Sequence, residues 1–370
     1  MIKPTKEDIF AKVNPDISWI KNNTIFLTVA GSHSYGLNGP TSDVDIRGIT
    51  VPEKKYFLGF QHNFDNLVAN DPFDMQVFNI VKYFDLTKSG NPNSLELLFT
   101  DEEDHIFVSD IGKTLLDNRE KFLSRNLKER YMGYAKAQAH RMSNHKRWVN
   151  TTMAPPPTRE EFGLAKELSI PKDQLLTIQA IYSKKIEEWN CHFEPFSEPQ
   201  KIFLQGKVSQ MLAEMKILSD DKWMLAARNL GASENFLLLL QKEKAYQNLV
   251  KDYENYLSWK KNRNPARAIL EEKIGYDAKF AMHLIRLLVQ GKEVLETGKL
   301  NVKRKEDREM LLEVRNCQWS YEKVIEFADK IEDQVKEAYF TSPLPIQPDI
   351  KYLDNLCIEL VERSLNKVNN

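Results

Sequence analysis

The N-terminal third of the chain mixes the hydrophobic periodicities of strands and helices. Residues 24–31, TIFLTVAG, form an apolar, β-branched run that ends at a glycine, which predicts a buried strand. Residues 43–51, DVDIRGITV, alternate polar and apolar positions and predict a half-buried strand with its charged side chains on one face. Residues 73–80, FDMQVFNI, predict a third strand that leads into helices. This part of the chain is expected to be α+β.

Helical periodicity dominates from about residue 105 onward, where apolar residues recur every three or four positions. Turn-forming stretches at 153–162 and 190–200 indicate connections between helical segments. The expected organisation is a catalytic α/β unit at 1–110, supporting helices at 111–150, a helical region of unassigned role at 151–261, and a C-terminal helical domain at 262–370 that closes the site.

The composition is that of a folded protein with two or three domains. The 370 residues are 42% hydrophobic and 28% charged, and single cores stop growing at about 250–300 residues. With 52 basic and 53 acidic residues the net charge is -1, so any site for a polyanion has to be a local patch. The three cysteines (Cys191, Cys317 and Cys357) fit neither a disulfide framework nor a zinc site. We expect a cytoplasmic protein without membrane contact, since no apolar stretch approaches about 20 residues.

Two carboxylates and a glycine turn carry the chemistry. Asp43 and Asp45 share a strand face, where like charges repel each other unless a cation neutralises them. Oxygen ligands favour Mg²⁺ or Mn²⁺. Gly31 and Ser32 end the preceding strand in a turn that can hold phosphate through N–H groups and a hydroxyl. These parts predict metal-assisted phosphoryl transfer with two ions, which calls for a third carboxylate on a neighbouring strand.

Asp74 is the preferred third carboxylate because it begins the third predicted strand. Asp71, in a turn before a proline, and Glu96, within a helical segment, are alternatives. The turn also contains His33 and Ser34, which would be the base and nucleophile of a hydrolase. Adjacent side chains seldom meet in that way and no nucleophile elbow surrounds them, so the sequence argues against hydrolysis.

The order of the sequence blocks resembles a known family. Gly31 and Ser32, followed after ten residues by DVDI at 43–46, resemble the signature of the DNA polymerase beta nucleotidyltransferase superfamily. The blocks GSHSYGLNGPTSDVDIRGITVP, KYFDLTKSGNPNSLELL, GYDAKFAMHLIRLLVQGKEVLETGKL and LLEVRNCQWS resemble the RNA repair pathway DNA polymerase beta family of predicted bacterial and phage nucleotidyltransferases. The resemblance covers about residues 22–150 and 262–330.

The resemblance implies a nucleotidyltransferase palm, which is a five-stranded mixed sheet with flanking helices, followed by a mainly α-helical part. It further implies that Asp43, Asp45 and Asp74 bind metal while Gly31 and Ser32 hold the triphosphate of an NTP, ATP included. The expected reaction moves NMP to an RNA 3′ end in RNA repair, with tRNA as one candidate. Two alternatives remain open: transfer to a protein hydroxyl, as in AMP-transferring toxins of the superfamily, and an inactive module that binds nucleotide or RNA.

Several cationic side chains are expected near the nucleotide. Arg47 shares the face of the two aspartates, where it either balances their charge or contacts phosphate. Lys82 follows the third predicted strand. Lys279, His283 and Arg286 form one stripe of a helix within a block that carries the resemblance, so contacts to base, ribose or phosphate are expected. The other interpretation of this stripe is a solvated basic face.

A second basic cluster lies at 260–267, KKNRNPAR, next to Tyr256 and Trp259. Cations beside aromatic rings suit single-stranded nucleic acid, because charge follows the backbone while rings stack on bases. The other interpretation is a charged helix end. The predicted RNA-binding residues are Lys260, Lys261, Arg263 and Arg267.

Overall fold

A computed structural model of the chain describes residues 3–39, 42–71, 73–167, 234–263 and 265–368, together with the isolated positions 177, 180, 181 and 184. The chain divides into two units. The first unit consists of Met1–Thr151 and Pro265–Asn370, and the second of Thr152–Asn264. Two segments that are distant in sequence therefore build the first unit, which contains all the predicted metal-binding and phosphate-binding residues.

The described part of the chain contains five strands that form one mixed sheet. The strands are β1 (Thr24–Ala30), β2 (Asp45–Thr50), β3 (Asn66–Ala69), β4 (Asp74–Asn79) and β5 (His105–Val108). Their order across the sheet is β3-β4-β2-β1-β5. Only β2 and β4 are parallel to each other among these pairs. The sheet and its flanking helices confirm the predicted α+β class.

The sequence predicts the three central strands but neither edge strand. β3 has four residues with largely half-buried side chains. β5 also has four residues, and it lies where helical periodicity was expected to begin, so that expectation was wrong for these positions. A short edge strand depends on its partner strand for hydrogen bonds, and its own hydrophobic alternation is too short to predict it.

The remaining regular elements of the two units are mostly helices. In chain order they are α1 (Lys6–Ile9), α2 (Trp19–Asn23), α3 (Gly31–Ser34), α4 (Lys55–Leu58), α5 (Ile80–Lys88), α6 (Pro92–Leu95), α7 (Asp110–Asp117), α8 (Leu127–Asn150), α9 (Glu234–Asn262), α10 (Pro265–Ile274), α11 (Ala278–Thr297), α12 (Arg308–Arg315), α13 (Tyr321–Thr341) and α14 (Ile350–Val368). Short 3₁₀ turns occur at Pro15–Ile17, Glu96–Phe99, Glu102–Asp104 and Arg119–Phe122. None of the described helices has the length and apolarity needed to cross a bilayer.

Helix α11 lies at the centre of the helical part of the first unit. It packs against α8, α12 and α13. The N-cap of α11, Asp277, accepts hydrogen bonds from two backbone N–H groups. The helix is capped at its C-terminal end by Gly298, which has the left-handed conformation. One hydrophobic cluster joins Phe26 and Ile49 of the sheet to Leu284 of this helix. The C-terminal segment therefore completes the core on which the sheet rests.

A buried ion pair connects α11 to the segment that follows α6. Arg286 Nη1 lies 2.8 Å from Glu96 Oε1 and 2.7 Å from Gln290 Oε1. The Tyr35 hydroxyl donates to Glu96 Oε2 at 2.7 Å, and the Arg286 guanidinium stacks 3.9 Å from the Tyr35 ring centroid. Burial alone would lower the pKa of Arg286, but the charge and hydrogen bond of Glu96 together with the neighbouring Tyr35 and Tyr131 outweigh it and raise that pKa. The guanidinium therefore stays charged inside the core.

The second unit has an ion pair of its own. Arg159 contacts the buried carboxylate of Glu243 on α9 through both terminal guanidinium nitrogens. The same guanidinium lies 5.4 Å from the Tyr246 ring centroid. The chain after the proline-rich stretch is therefore anchored to this helix.

We expect Arg286→Met to destabilise the protein by about 3–5 kcal/mol, because it leaves the Glu96 carboxylate buried without its partner. Urea unfolding followed by circular dichroism measures the change. The double variant Glu96→Gln, Arg286→Met should regain part of the loss, since no buried charge then remains. Lys336→Met removes an exposed cation from two acidic neighbours and should leave stability unchanged within error. Equal stability of Arg286→Met and the wild type would contradict the assigned role.

Candidate active site

The predicted carboxylates gather at one end of the parallel β2–β4 pair. Asp45 is the first residue of β2 and Asp74 the first of β4, and the register sets them opposite each other. Asp43 is exposed two residues before β2 begins. The Asp74 side chain is 52% exposed and that of Asp45 28%. This edge of the sheet thus presents carboxylates to an approaching ligand.

Gly31 lies directly against one of these carboxylates. The preceding residue, Ala30, pairs with Asp45 in the β1–β2 ladder. The φ of Gly31 is +63°, and a Cβ there would come within 2.0 Å of Asp45 Oδ2. Only glycine can therefore make this turn beside the carboxylate. Ser32 follows it and is partly buried, so both predicted phosphate-binding residues lie at the aspartate edge.

The glycine turn is held by the C-terminal segment of the first unit. The backbone N–H of Arg304 donates to the Tyr35 carbonyl at 3.0 Å. Arg308 Nε donates to the Gly36 carbonyl at 2.9 Å. Arg315 Nη2 donates to the hydroxyl of Ser42 at 3.1 Å. Contacts from α12 and the loop before it therefore fix the turn that precedes the aspartates.

Arg47 lies between the two opposed carboxylates. Its Nη2 is 3.3 Å from Asp45 Oδ1, and its Nη1 is 3.1 Å from Asp74 Oδ1. Nη1 also donates to the backbone carbonyls of Ile46 and Asp74, both at 2.9 Å. The structure thus shows Arg47 balancing the charge of the aspartates.

The electrostatics of Asp45 fit a divalent cation. Burial raises the pKa of Asp45 above its usual value, and the charges of Asp74 and Asp43 raise it further. The positive charges of Arg47 and Lys279 oppose this rise. Carboxylates crowded beside a glycine, with oxygen as the only donor element, form the donor set that Mg²⁺ and Mn²⁺ prefer. The residues present therefore fit the predicted metal.

A cavity of about 240 Å³ opens next to Asp45. Its lining includes Gly31, Arg47, Gln76 and Asn93. Gln76 lies on β4, two residues after Asp74, and is the register partner of Arg47 on β2. The cavity offers amide donors and acceptors beside the carboxylates, which suits a polar ligand.

The predicted nucleotide-contacting cations are not all at this edge. Lys279 is exposed and its charge acts on Asp45, so it lies near the site. His283 is partly buried, and Arg286 is buried with its Nη1 donating to Glu96. The stripe on α11 is thus neither a solvated basic face nor a uniform ligand-facing surface, because α11 is buried on nearly all sides.

Lys82 lies in the first turn of α5, beyond the far end of β4 from Asp74. The six residues of β4 span roughly 17–20 Å at the usual rise per residue. Lys82 lines a different cavity, together with Asp85 and Lys88. This placement does not fit the prediction that Lys82 reaches the triphosphate. Asp74 begins β4, whereas Lys82 follows the other end of the same strand.

The alternative site residues have other contacts. Asp71 pairs with Lys12 at 2.8 Å on the surface. Glu96 belongs to the buried network described above. The Ser34 hydroxyl donates to the Gly31 carbonyl, and His33 Nε2 lies 3.4 Å from the Ser42 carbonyl. This arrangement does not pair His33 with Ser34 as base and nucleophile.

The predicted RNA-binding cluster lies largely on the last turns of α9, in the second unit. Rings of Tyr256 and Trp259 stack with centroids 5.9 Å apart. Lys260 Nζ lies 5.9 Å from the Tyr256 ring centroid, and the Arg263 guanidinium lies 4.8 Å from that of Trp259. Cations and rings are therefore adjacent, as the pattern predicts. Lys261 is exposed on the same helix, whereas the Arg267 side chain lies outside what the structure describes.

One polar cluster is not predicted from the sequence. Single donor atoms of His145, Glu271 and Asp277 all lie within 4.8 Å of one another, and no other such trio occurs among the described residues. His145 Nδ1 is 3.5 Å from Asp277 Oδ2. Burial alone would raise the pKa of Asp277. His145 and the two backbone N–H groups that Asp277 caps outweigh burial and lower this pKa. Helix packing alone brings these residues together, so no local spacing indicates them.

His283 provides a test of the electrostatics in this region. Burial and the adjacent charges of Arg286 and Lys279 lower the pKa of His283 to about 3. The unfolded chain binds a proton at this imidazole below about pH 6.5, whereas the folded protein does not. The free energy of unfolding should therefore fall between pH 6.5 and 3, by up to about 1.4 kcal/mol per pH unit from this residue.

We expect His283→Gln to flatten this pH dependence by that amount, measured by urea unfolding at a series of pH values. His140→Gln, at an exposed position, serves as the matched control and should retain the wild-type slope. Equal slopes for His283→Gln and the wild type would show that His283 titrates as in the unfolded chain.

Comparison with known proteins supports the chemistry that the site suggests. Residues 6–160 match the model of the RNA repair pathway DNA polymerase beta family. An uncharacterized 38.9 kDa protein from the nrdC-mobD intergenic region of Enterobacteria phage T4 is 25% identical over 332 residues, which is 85% of this chain and 89% of that protein. No solved structure matches the chain significantly. The predicted resemblance is confirmed for the N-terminal segment, and the match suggests a polymerase-beta-type nucleotidyltransferase.

Proposed function

We propose, from the match of residues 6–160 to the RNA repair pathway DNA polymerase beta family, that this chain is a metal-dependent nucleotidyltransferase acting on RNA ends. One observation carries the proposal. Asp45 and Asp74 are register partners at the edge of the sheet, and the turn at Gly31 passes so close to Asp45 that a side chain there would strain the backbone and displace the carboxylate. A phosphate-binding turn and paired carboxylates are the two parts that nucleotidyl transfer needs in contact.

The residues that would hold Mg²⁺ or Mn²⁺ are Asp43, Asp45 and Asp74. The chemistry supplied by a bound ion is neutralisation and polarisation of the phosphoryl oxygens. Gly31 and Ser32 orient the triphosphate through backbone N–H groups and a hydroxyl. Lys279, whose charge already acts on Asp45, adds a cation on the side of α11.

The proposed reaction moves NMP to a hydroxyl. The acceptor oxygen forms a bond to the α-phosphorus, the bond to the β-phosphate oxygen breaks, and pyrophosphate leaves. Asp74 is the more exposed of the two register partners. Its carboxylate accepts the proton of the incoming hydroxyl. Asp45 is partly buried and holds the nucleotide side of the site.

RNA as the acceptor is supported by the second unit. Its helix α9 places the cations Lys260 and Arg263 over stacked aromatic rings. Tyr256 is buried, so a base would stack on the partly exposed Trp259 ring while the cations follow phosphates, which is a usual combination for single strands. A protein acceptor would need neither feature.

We expect Asp45→Asn to lower nucleotidyl transfer by at least about 10³-fold, because a lost metal ligand forfeits several kcal/mol of transition-state stabilisation. The assay incubates each labelled NTP with Mg²⁺, total cellular RNA and total protein, and asks which fraction becomes labelled. Thermal stability without metal should be unchanged or higher, since burial already disfavours the charged carboxylate. Asp71→Asn, a surface substitution, is the matched control. Near-wild-type turnover of Asp45→Asn, or label in protein alone, would refute the proposal.

We expect RNA affinity to fall steeply with salt, with a slope of log affinity against log salt of about -0.7 for each phosphate contact. Changing Lys260, Lys261 and Arg263 to alanine should therefore flatten the slope by about 2. NTP affinity should stay unchanged. Filter binding over a salt series measures both quantities.

The matched control for this prediction changes Lys323, Lys330 and Lys336 on α13 to alanine, which removes the same charge from exposed positions elsewhere. Its slope should equal that of the wild type. RNA binding that is independent of salt, or equal slopes for the two triple variants, would remove the RNA-binding role of α9.

A further inference from the structure

The aspartate edge already contains a cation. The guanidinium of Arg47 lies between Asp45 and Asp74 and engages the Oδ1 atom of each carboxylate, at 3.3 and 3.1 Å. Asp45 and Asp74, set opposite each other by strand register, are also carboxylates that would hold a second metal ion in a two-ion site. Arg47 and that ion would compete for the same oxygens.

The guanidinium is anchored by more than the carboxylates. Its Nη1 donates to the backbone carbonyls of Ile46 and Asp74, each at 2.9 Å. Those carbonyls belong to adjacent, paired strands whose register fixes their positions. The Arg47 side chain is 22% exposed, unlike a freely moving surface arginine. Withdrawal of Arg47 would separate it from four oxygen atoms at once.

The charges at this edge also favour a single divalent ion. The guanidinium cannot lose its proton at any accessible pH, so its charge is permanent. Three carboxylates, the Arg47 guanidinium and the Lys279 ammonium leave one negative charge on the protein side of the site, which one divalent ion more than neutralises before the charge of the triphosphate is added. Asp45 lies against Gly31, the side on which the proposed function places the triphosphate, and Asp43 is exposed two residues before it. One ion there fits the charge, whereas a second one would meet Arg47.

We propose that Arg47 takes the place of the second metal ion, so that this site binds one divalent ion with the nucleotide. The inference rests on the proposed function and changes the predicted ion count from two to one. Arg47 positions Asp74 and neutralises its neighbour, and Asp74 remains the acceptor of the hydroxyl proton. Arg47 is therefore a positioning residue that balances the aspartates, which is one of its two predicted roles, rather than a phosphate contact, which is the other.

The test counts Mn²⁺ on the full chain saturated with a non-hydrolysable α,β-methylene NTP analogue. Equilibrium dialysis gives the number of ions for each chain. Electron paramagnetic resonance shows whether two ions are close enough for spin coupling, as they are at about 3.5–4 Å. The proteins are the wild type, Arg47→Gln, and Arg363→Gln. The last is a control that removes the same charge from a helix pair with Glu359.

We expect one uncoupled Mn²⁺ in the wild type and in Arg363→Gln, and two coupled ions in Arg47→Gln. A coupled pair in the wild type would overturn the inference and leave the proposed function standing. A single ion in a folded Arg47→Gln protein would also overturn it, because Arg47 would then not be what excludes the second ion. The wild-type count is decisive even if Arg47→Gln does not fold. If none of the three proteins retained Mn²⁺ or the analogue, the proposed function would be overturned together with the inference.

Discussion

The parallel pairing of β2 with β4 is the constraint on which the site depends. It makes Asp45 and Asp74 register partners at the strand ends where ligands can approach. Two carboxylates in that position are unfavourable unless cations compensate them. Arg47 supplies one positive charge from the same strand face, and the remaining negative charge makes the edge suitable for a divalent ion and its bound phosphates.

The site is inseparable from the core of the first unit. The turn at Gly31 continues into Tyr35, whose hydroxyl bonds to Glu96, and Glu96 in turn holds Arg286 of α11. The C-terminal segment also contacts the turn through Arg304 and Arg308. If this turn binds phosphate as proposed, it needs little reorganisation when ligand arrives, which is what electrostatic catalysis requires. The same network explains why α11 contains polar residues that never reach solvent.

The sequence predicted the parts of the fold that leave a local signal. Central strands have clear hydrophobic patterns, and the DVDI block with its preceding Gly-Ser turn predicted carboxylates beside a glycine turn, which is where Asp45 and Gly31 lie. Edge strands β3 and β5 leave too short a pattern. The burial of Arg286 could not be predicted, because its partner Glu96 is 190 residues away and helical periodicity does not distinguish a buried ion pair from a solvated stripe. Lys82 follows a correctly predicted strand, but only the parallel direction of β4 shows that it lies at the opposite end from Asp74.

The carboxylate edge is proposed to transfer a nucleotidyl group rather than a terminal phosphate. The most direct measurement compares NTP labelled at the α-phosphate with NTP labelled at the γ-phosphate, each incubated with the wild-type chain, Mg²⁺ and RNA. Nucleotidyl transfer predicts that the α-label enters the RNA and that the γ-label appears only in pyrophosphate. Entry of the γ-label into the RNA, or release of the γ-label as inorganic phosphate with no α-label in any acceptor, would contradict the account.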